Sequence, residues 1–308
     1  MPELPEVQTT VNGLRRHVLG KKIAGVWTSY NSPYFAGSGT IKDPAYFRTF
    51  EKQILGRTIV SVDRRAKNIL INLDGGLTIL VHMKMTGHLL YGRYRFVADK
   101  PKDPWQPIEP ESLKDPFNRH VRLMLTFTDG TNLALSDMRK FAKVLVADTR
   151  MIHTSDHLDG IGPEPLERGF TLKKFAECLE RRPNGKIKQV LMDQNIIAGV
   201  GNIYADESLW RAGIHPLERV SHIPPAKLTA LYKGVLSTLK NGIDFGGDSM
   251  SDYRNILGER GEFQGKHQAY RRTGLKCRKP GFGGTIRRLV VGGRSAHYCD
   301  QHQKLSRK

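Results

Sequence analysis

Residues 121–136 read VRLMLTFTDGTNLALS. Val121, Leu123, Leu125 and Phe127 recur every second position, which places them on one face of a β-strand. Asp129-Gly130 is a hairpin turn signal, and Leu133 and Leu135 continue the same period beyond it. The pattern predicts two antiparallel strands with one apolar face. Upstream, Thr58–Val62, Asn68–Leu73 and Leu77–Val81 have strand character, with a turn at Asp74-Gly75-Gly76. Lys143–Val146 is a further candidate strand. Lys100–Asn118 holds five prolines and many charges and reads as a surface loop.

A helix precedes these strands. Val7, Val11, Leu14 and Val18 share one face of a 3.6-residue period. Pro5 suits a first turn, Glu3 and Glu6 favour the positive end of the dipole, and Gly20 ends the segment. Residues 1–150 are therefore expected to form an N-terminal helix plus an antiparallel β-sandwich domain.

Beyond a linker at 151–165 the period changes. Leu172, Phe175 and Leu179 predict a helix capped by Thr171, Ile187–Asp193 a shorter one, and Ile203–Arg211 a third that Gly213 ends. Leu228, Leu231, Val235 and Leu239 mark another. Residues 166–262 are expected to be a helical domain and 263–308 a β-hairpin module, Ile286–Val291 and Ser295–Cys299 joined by Gly292-Gly293. The fold class is α+β, multidomain.

The chain has 308 residues, 49 Lys+Arg against 30 Asp+Glu, and a formal net charge of +19. Its 39% hydrophobic content is enough for packed cores, which excludes a disordered basic tail. No apolar run reaches membrane-spanning length, so no membrane association is expected. The start, MPELPEVQTT, has no secretion-signal pattern, and three cysteines make no disulfide framework, so a cytoplasmic setting is expected. A folded chain this basic suits a polyanion, with nucleic acid the leading candidate. Residues 266–308 carry twelve Lys/Arg and one acid, with His267, Tyr270, His297, Tyr298 and His302 interleaved.

If Met1 is removed, Pro2 presents a secondary amine at a helix start, with Glu3 and Glu6 beside it. Such an amine can form an iminium with a sugar aldehyde carbon, and a carboxylate can shuttle the protons. On residue types alone, this start reads more readily as an ordinary helix N-terminus, where Pro and Glu are common.

Six motifs then fall in order along the chain. MPELPEV opens it at 1–7. Arg64-Arg65-Ala66-Lys67, His82-Met83-Lys84-Met85-Thr86-Gly87 and Asp137-Met138-Arg139-Lys140-Phe141 follow. Ile187-Lys188 with Gly199-Val200-Gly201-Asn202-Ile203-Tyr204-Ala205-Asp206-Glu207 is the fifth, and Val291-Gly292-Gly293-Arg294-Ser295 the sixth. Together they resemble the formamidopyrimidine-DNA glycosylase / endonuclease VIII family across the whole chain.

The resemblance implies a bifunctional glycosylase/AP lyase acting on damaged double-stranded DNA. Pro2 would be the nucleophile at C1′, with Glu3 as acid/base and Glu6 in support. Lys67 would contact the phosphate beside the lesion. Ala66 replaces the Gly of the family's RRGK, and glycine alone adopts positive φ freely. A flipped nucleotide leaves a void, which Met85, Arg139 and Phe141 would fill, with Arg139 reading the orphaned base. Lys188 and Asn202 would bind phosphate in a helix–two-turn–helix, Asn202 capping its helix. Gly246–Gln264 resembles the loop that closes over a flipped 8-oxoguanine, and Arg294 would enter the minor groove. These features imply oxidised purines as substrates, 8-oxoguanine opposite C and formamidopyrimidines, with β,δ-elimination afterwards. An oxidised-pyrimidine preference, or a non-catalytic lesion- or RNA-binding protein, are the alternatives. A monomer is expected.

The last module resembles the family's four-cysteine zinc finger, with Phe282 standing where one cysteine is expected. Cys277, Cys299 and His302 are the remaining ligand candidates. Two arrangements stay open: zinc on these three with water or His297 as fourth ligand, or a metal-free module packed around Phe282.

Overall fold

The computed structural model describes residues 1–30, 32–100 and 103–306. The chain divides into two compact units: Met1–Asp159 with Gly246–Glu262, and Gly160–Phe245 with Phe263–Lys308.

In the first unit, helix α1 (Leu4–His17) has Glu3 as N-cap and Pro5 in its first turn. Val7, Val11 and Leu14 are buried along one stripe, as the period predicts. Strands β1 (Ile23–Thr28), β2 (Ile59–Arg65), β3 (Asn68–Leu73), β4 (Leu77–His82) and β5 (His88–Phe96) follow, with helix α2 (Pro44–Ile54) between β1 and β2. Strands β6 (Trp105–Glu109), β7 (Val121–Phe127), β8 (Asn132–Ser136) and β9 (Lys143–Asp148) complete it. They form two antiparallel sheets, one ordered β1-β7-β8-β5-β6 and one ordered β2-β3-β4-β9. Leu123, Leu125, Phe127, Leu133 and Leu135 share one core with Ile69, Ile71, Ile79 and Val81 of the four-stranded sheet and with α1. Burying a side chain of this size is worth about 1.5–3 kcal/mol, so the facing apolar rows set the sandwich.

Two expectations change here. Val121 does not join the Leu123 face. The pairing shifts register between Val121 and Leu123, and Val121 packs on the opposite face with Leu90, Tyr94, Leu113, Met124 and Ala134. A bulge inserts one residue and reverses facing beyond it. The expected 100–118 loop, apart from Pro101 and Lys102, which lie outside the described residues, contains β6. Its residues Trp105–Gln106 pair with Arg95–Phe96, and Pro107 is tolerated because β6 is an edge strand.

The sequence pattern places Gly246–Glu262 with the helical domain, yet the segment packs in the first unit. Ile256 O accepts from Tyr91 N at 2.6 Å, Leu257 O accepts from Ser112 Oγ at 2.6 Å, and Arg254 pairs with Asp115 at 3.0 Å. A Cβ on Gly13 of α1 would sit 2.3 Å from Ile256 Cγ2, so glycine is what lets the segment approach.

The second unit holds α3 (Leu172–Glu180), α4 (Ile187–Met192), α5 (Asn202–Ala212) and α6 (Pro225–Asp244), then the hairpin β10 (Ile286–Val291) and β11 (Arg294–Cys299). Thr171 caps α3 by accepting from Lys174 N. Gly213 ends α5 in the left-handed region, φ 64°. Gly292 and Gly293 have φ 55° and 74°, as a tight two-residue hairpin requires. Among the described residues no helix is long and apolar enough to cross a membrane.

Candidate functional site

At the start of α1, Glu3 and Glu6 form a reciprocal capping box. The Glu3 side chain accepts from the Glu6 backbone, and Glu3 N donates to Glu6 Oε2 at 2.7 Å. Both carboxylates are buried, 3% and 2% exposed. Pro2 is buried beside them, while Met1 is exposed. Glu6 has a second task. Its Oε1 accepts from Asp248 N at 2.8 Å, and its carbonyl accepts from Tyr253 Oη at 3.0 Å. Gly247, at φ 86°, runs so close that a Cβ there would lie 2.9 Å from Glu6 Cγ. The segment 246–262 is thus seated on the first turn of α1.

Lys67 lies on the two-residue turn between β2 and β3, where Arg65 pairs with Asn68. It is largely buried. Ala66 adopts φ 52°, so the turn keeps the left-handed backbone despite losing glycine, at a cost of about 1–2 kcal/mol. Arg64 supports it: Nη1 donates to Ala66 O at 2.9 Å and Nε to Gln8 Oε1 of α1 at 2.8 Å. The Lys67 turn and α1 are therefore tied through one guanidinium, a role that the motif alone did not announce.

Met85, Arg139 and Phe141 occupy two loops, β4–β5 and β8–β9. Phe141 is 48% exposed, and the Arg139 guanidinium lies 4.6 Å from its ring centroid. Met85 is half-buried. The buried carboxylate of Asp137 joins the loops: Oδ1 accepts from Thr86 Oγ1 and Oδ2 from Ala142 N at 2.7 Å. Arg139 N in turn donates to Thr86 Oγ1 at 3.1 Å. Lys84 and Lys140 adopt φ 55° and 59°, strained for residues with a Cβ. A slot of about 160 Å³ opens beside these loops, lined by Thr86, Phe117, Arg119, His120, Met138 and Asp252 among others. Thr86 and His120 escape a sequence reading as site residues, although Thr86 sits directly beside Met85. His82 is also drawn in. Its Nδ1 accepts from Lys84 N at 3.0 Å, and burial, with Lys84 and Lys67 nearby, pushes its pKa down to about 3.

The second unit corrects three assignments. Lys188 is fully buried rather than facing a ligand: Nζ contacts Asp206 Oδ1 at 2.5 Å and Ser295 O at 2.6 Å. Asn202 does not cap α5; Gly201 is the N-cap and Asn202 is the first helical residue. Asn202 Oδ1 is buried with no hydrogen-bond partner among the described residues. Phe282 is not the centre of the hairpin module. It is 43% exposed, and the centre is Trp210, Ala269, Cys277, Ile286 and Cys299. Arg294 is exposed at the hairpin tip.

Cys277, Cys299 and His302 form a cluster whose donor atoms lie within 4.8 Å of one another, a set that could hold a metal. His302 Nε2 lies 3.0 Å from Trp210 O, while Nδ1 lies 3.5 Å from Cys277 Sγ. That is how a metal-binding histidine is commonly oriented. Among the described residues the donor cluster does not include His297, whose Nδ1 lies 2.9 Å from Asp206 Oδ2. Burial pushes the Cys299 thiol up.

Comparison with known proteins gives one consistent answer. Residues 1–144 match the pattern described as formamidopyrimidine-DNA glycosylase N-terminal domain, and residues 161–254 the H2TH domain of the same enzymes. A formamidopyrimidine-DNA glycosylase of Roseiflexus sp. (strain RS-1) is 38% identical, covering 99% of this chain and all of that protein. One from Enterococcus faecalis is 33% identical, covering 99% and 98%. The Lactococcus lactis Fpg bound to DNA with an abasic site superposes with TM-score 0.80 at 29% identity, covering 98% of this chain and 99% of that one. MutM bound to DNA containing carbocyclic 8-oxo-G also superposes with TM-score 0.80, at 29% identity over 98% and 100%.

Proposed function

Because the chain belongs to the formamidopyrimidine-DNA glycosylase family, whose members are DNA glycosylases of base-excision repair, we propose that it removes oxidised purines through a covalent Pro2 intermediate. Once Met1 is gone, the Pro2 nitrogen attacks C1′ of an everted nucleotide as the C1′–N bond to the base breaks. The departing base takes a proton, and the sugar ring oxygen is protonated as the ring opens to an iminium. Glu3, the residue next to Pro2, supplies that proton. The iminium acidifies C2′–H, so elimination expels the 3′ phosphate and a second elimination the 5′ phosphate. Water then releases the sugar fragment and restores the amine. The observation that carries this reading is the buried Glu3–Glu6 capping box next to Pro2.

Glu6 supports the site by orienting Glu3 through its backbone and seating the 246–262 segment, which closes over the everted base. Lys67 meets the phosphate beside the lesion. Met85, Arg139 and Phe141 fill the void, Asn202 contacts phosphate, and Arg294 enters the minor groove. Exposure of Phe141 and Arg294 supports these roles.

Zinc, if bound, supplies a structural cross-link. Cys277, Cys299 and His302 would hold it with water as fourth ligand, because Phe282 replaces one donor. Structural zinc ordinarily has four N/S ligands, so this site binds it more weakly than a full set.

Borohydride trapping tests the reading. A native N-terminus should give a covalent complex on an 8-oxoguanine·C duplex, and retained Met1 or an N-terminal tag should abolish it while duplex binding stays within a few fold. Trapping that survives the block would overturn the Pro2 assignment. Faster excision of thymine glycol than of 8-oxoguanine would favour the oxidised-pyrimidine reading.

A further inference from the structure

Three lysines of the first unit converge from separate segments. Ile41 N donates to Val144 O at 3.1 Å, which brings Lys42 beside Lys143. Lys143 lies opposite His82 in the β4–β9 pairing, and Lys84 follows two residues after His82. All three side chains are half-buried. Burial is the main cause holding Lys42 and Lys143 below the ordinary lysine range, and Lys84 adds repulsion to both.

The surroundings do not neutralise this charge. Asp137 faces Lys42 and Asp156 faces Lys143, but Asp137 is fully buried and committed to Thr86 and Ala142 N. Lys143 Nζ lies 3.0 Å from His157 Nδ1, and burial with the Lys143 charge pushes that imidazole toward its neutral form. His82 is neutral, and Lys67 adds to the positive field around it. The Lys42 amine sits 5.9 Å from the Tyr30 ring centroid and 5.6 Å from that of Phe35. Among the described residues, none of the three amines has a carboxylate partner.

We propose that Lys42, Lys84 and Lys143 form a phosphodiester-binding site that grips the DNA backbone beside the loops carrying Met85, Arg139 and Phe141. Clustered amines without a carboxylate partner are costly in the free protein and are compensated when an anion arrives. The chain itself indicates which anion. Lys84 is the immediate neighbour of Met85, and Lys143 is two residues beyond Phe141, so a duplex engaged by those side chains brings its phosphates to the cluster. This rests on the DNA-acting reading above and adds a site to it, since none of the six motifs assigns these three lysines a role.

The test is the salt dependence of binding to an undamaged duplex. Each neutralised phosphate contributes about 0.9 to the slope of log K against log[salt]. The triple variant Lys42→Gln/Lys84→Gln/Lys143→Gln should lose about 1–2 from that slope and bind more weakly at fixed salt. Its thermal midpoint should not fall, because mutual repulsion is removed, and this separates lost contacts from misfolding. Lys52→Gln, an exposed lysine of α2, should leave the slope unchanged. An unchanged slope in the triple variant, or an equal loss in the Lys52 control, would overturn the site. Inorganic phosphate that protects the wild-type fold, with no change in duplex slope between wild type and triple variant, would mark a free-anion site and overturn the DNA assignment. A wild-type chain that shows the lysine-dependent slope but never cleaves a lesion duplex would spare this site and sink the glycosylase reading.

Discussion

Lys188 Nζ and Asp206 Oδ1 lie 2.5 Å apart, and neither side chain has any exposure. The pair joins α4 to α5, and both partners reach β11: Lys188 donates to Ser295 O, and Asp206 Oδ2 accepts from His297 N at 2.9 Å. Arg294 is the residue just before Ser295, so its tip is held from beneath by this network. Breaking a buried ion pair from one side leaves an uncompensated charge and costs about 3–5 kcal/mol. Lys188→Met should lower unfolding free energy by that order in urea titration. Loss under about 1 kcal/mol would mean that the pair does not anchor the hairpin.

Thr86 couples the β4–β5 and β8–β9 loops through Asp137. Thr86→Val keeps the shape and removes the hydroxyl, leaving a buried carboxylate oxygen short of a donor, at about 1–3 kcal/mol. If Arg139 reads the base opposite the lesion, the variant should also lose preference for cytosine over adenine there, and Thr86→Ser should restore it. Excision rates on the two duplexes decide; an unchanged ratio in Thr86→Val would make Thr86 structural only.

Much of this is legible from the chain, and the failures have physical causes. Strands β3 and β4 can be read because Ile69, Ile71, Ile79 and Val81 repeat with a period of two toward one core. Strand β5 cannot, because both its faces are covered: Leu89 packs inward and Leu90 outward, which erases the alternation. Edge strand β6 is hidden by its proline. Among the candidate site residues, the motifs single out Pro2, Glu3, Lys67 and the two loops, but burial is beyond reach. Lys188 looks like any basic helix residue until Asp206, eighteen residues on, is folded against it. The Ala66 turn keeps its left-handed φ of 52°. Ala66→Gly should therefore raise stability by about 0.5–1 kcal/mol in urea titration.

His82 gives the first unit a pH dependence. Its pKa falls from 6.5 to about 3 on folding, chiefly through burial, with Lys84, Lys67 and Lys143 adding repulsion. The folded state keeps the imidazole neutral, whereas the unfolded chain binds a proton below 6.5. The contribution is thus fully present above 6.5 and is lost as pH falls toward 3, by up to about 1.4 kcal/mol per pH unit. His82→Gln should flatten unfolding free energy against pH across that window. An equal slope in variant and wild type would remove His82 as the cause.

The hairpin module turns on Trp210 and not on Phe282. Trp210 lies in the cluster with Cys277, Ile286 and Cys299, and its Nε1 donates to Cys277 Sγ at 3.3 Å. Phe282 only leans on His302, ring centroids 5.2 Å apart, and is 43% exposed. Phe282→Ala should therefore cost under about 1 kcal/mol, as exposed substitutions do, whereas Trp210→Ala should cost about 3–5 kcal/mol. With an apolar centre of its own, the module should keep its fold and its DNA binding in the presence of a chelator. Phe282→Cys offers a third thiolate, and so a fourth ligand, beside Cys277, Cys299 and His302, and should raise zinc affinity by roughly tenfold or more in a competition titration. Metal analysis of protein purified without added zinc closes the question. One zinc per chain, with unfolding of the module on its removal, would show that three ligands suffice and that the packed centre does not stand alone.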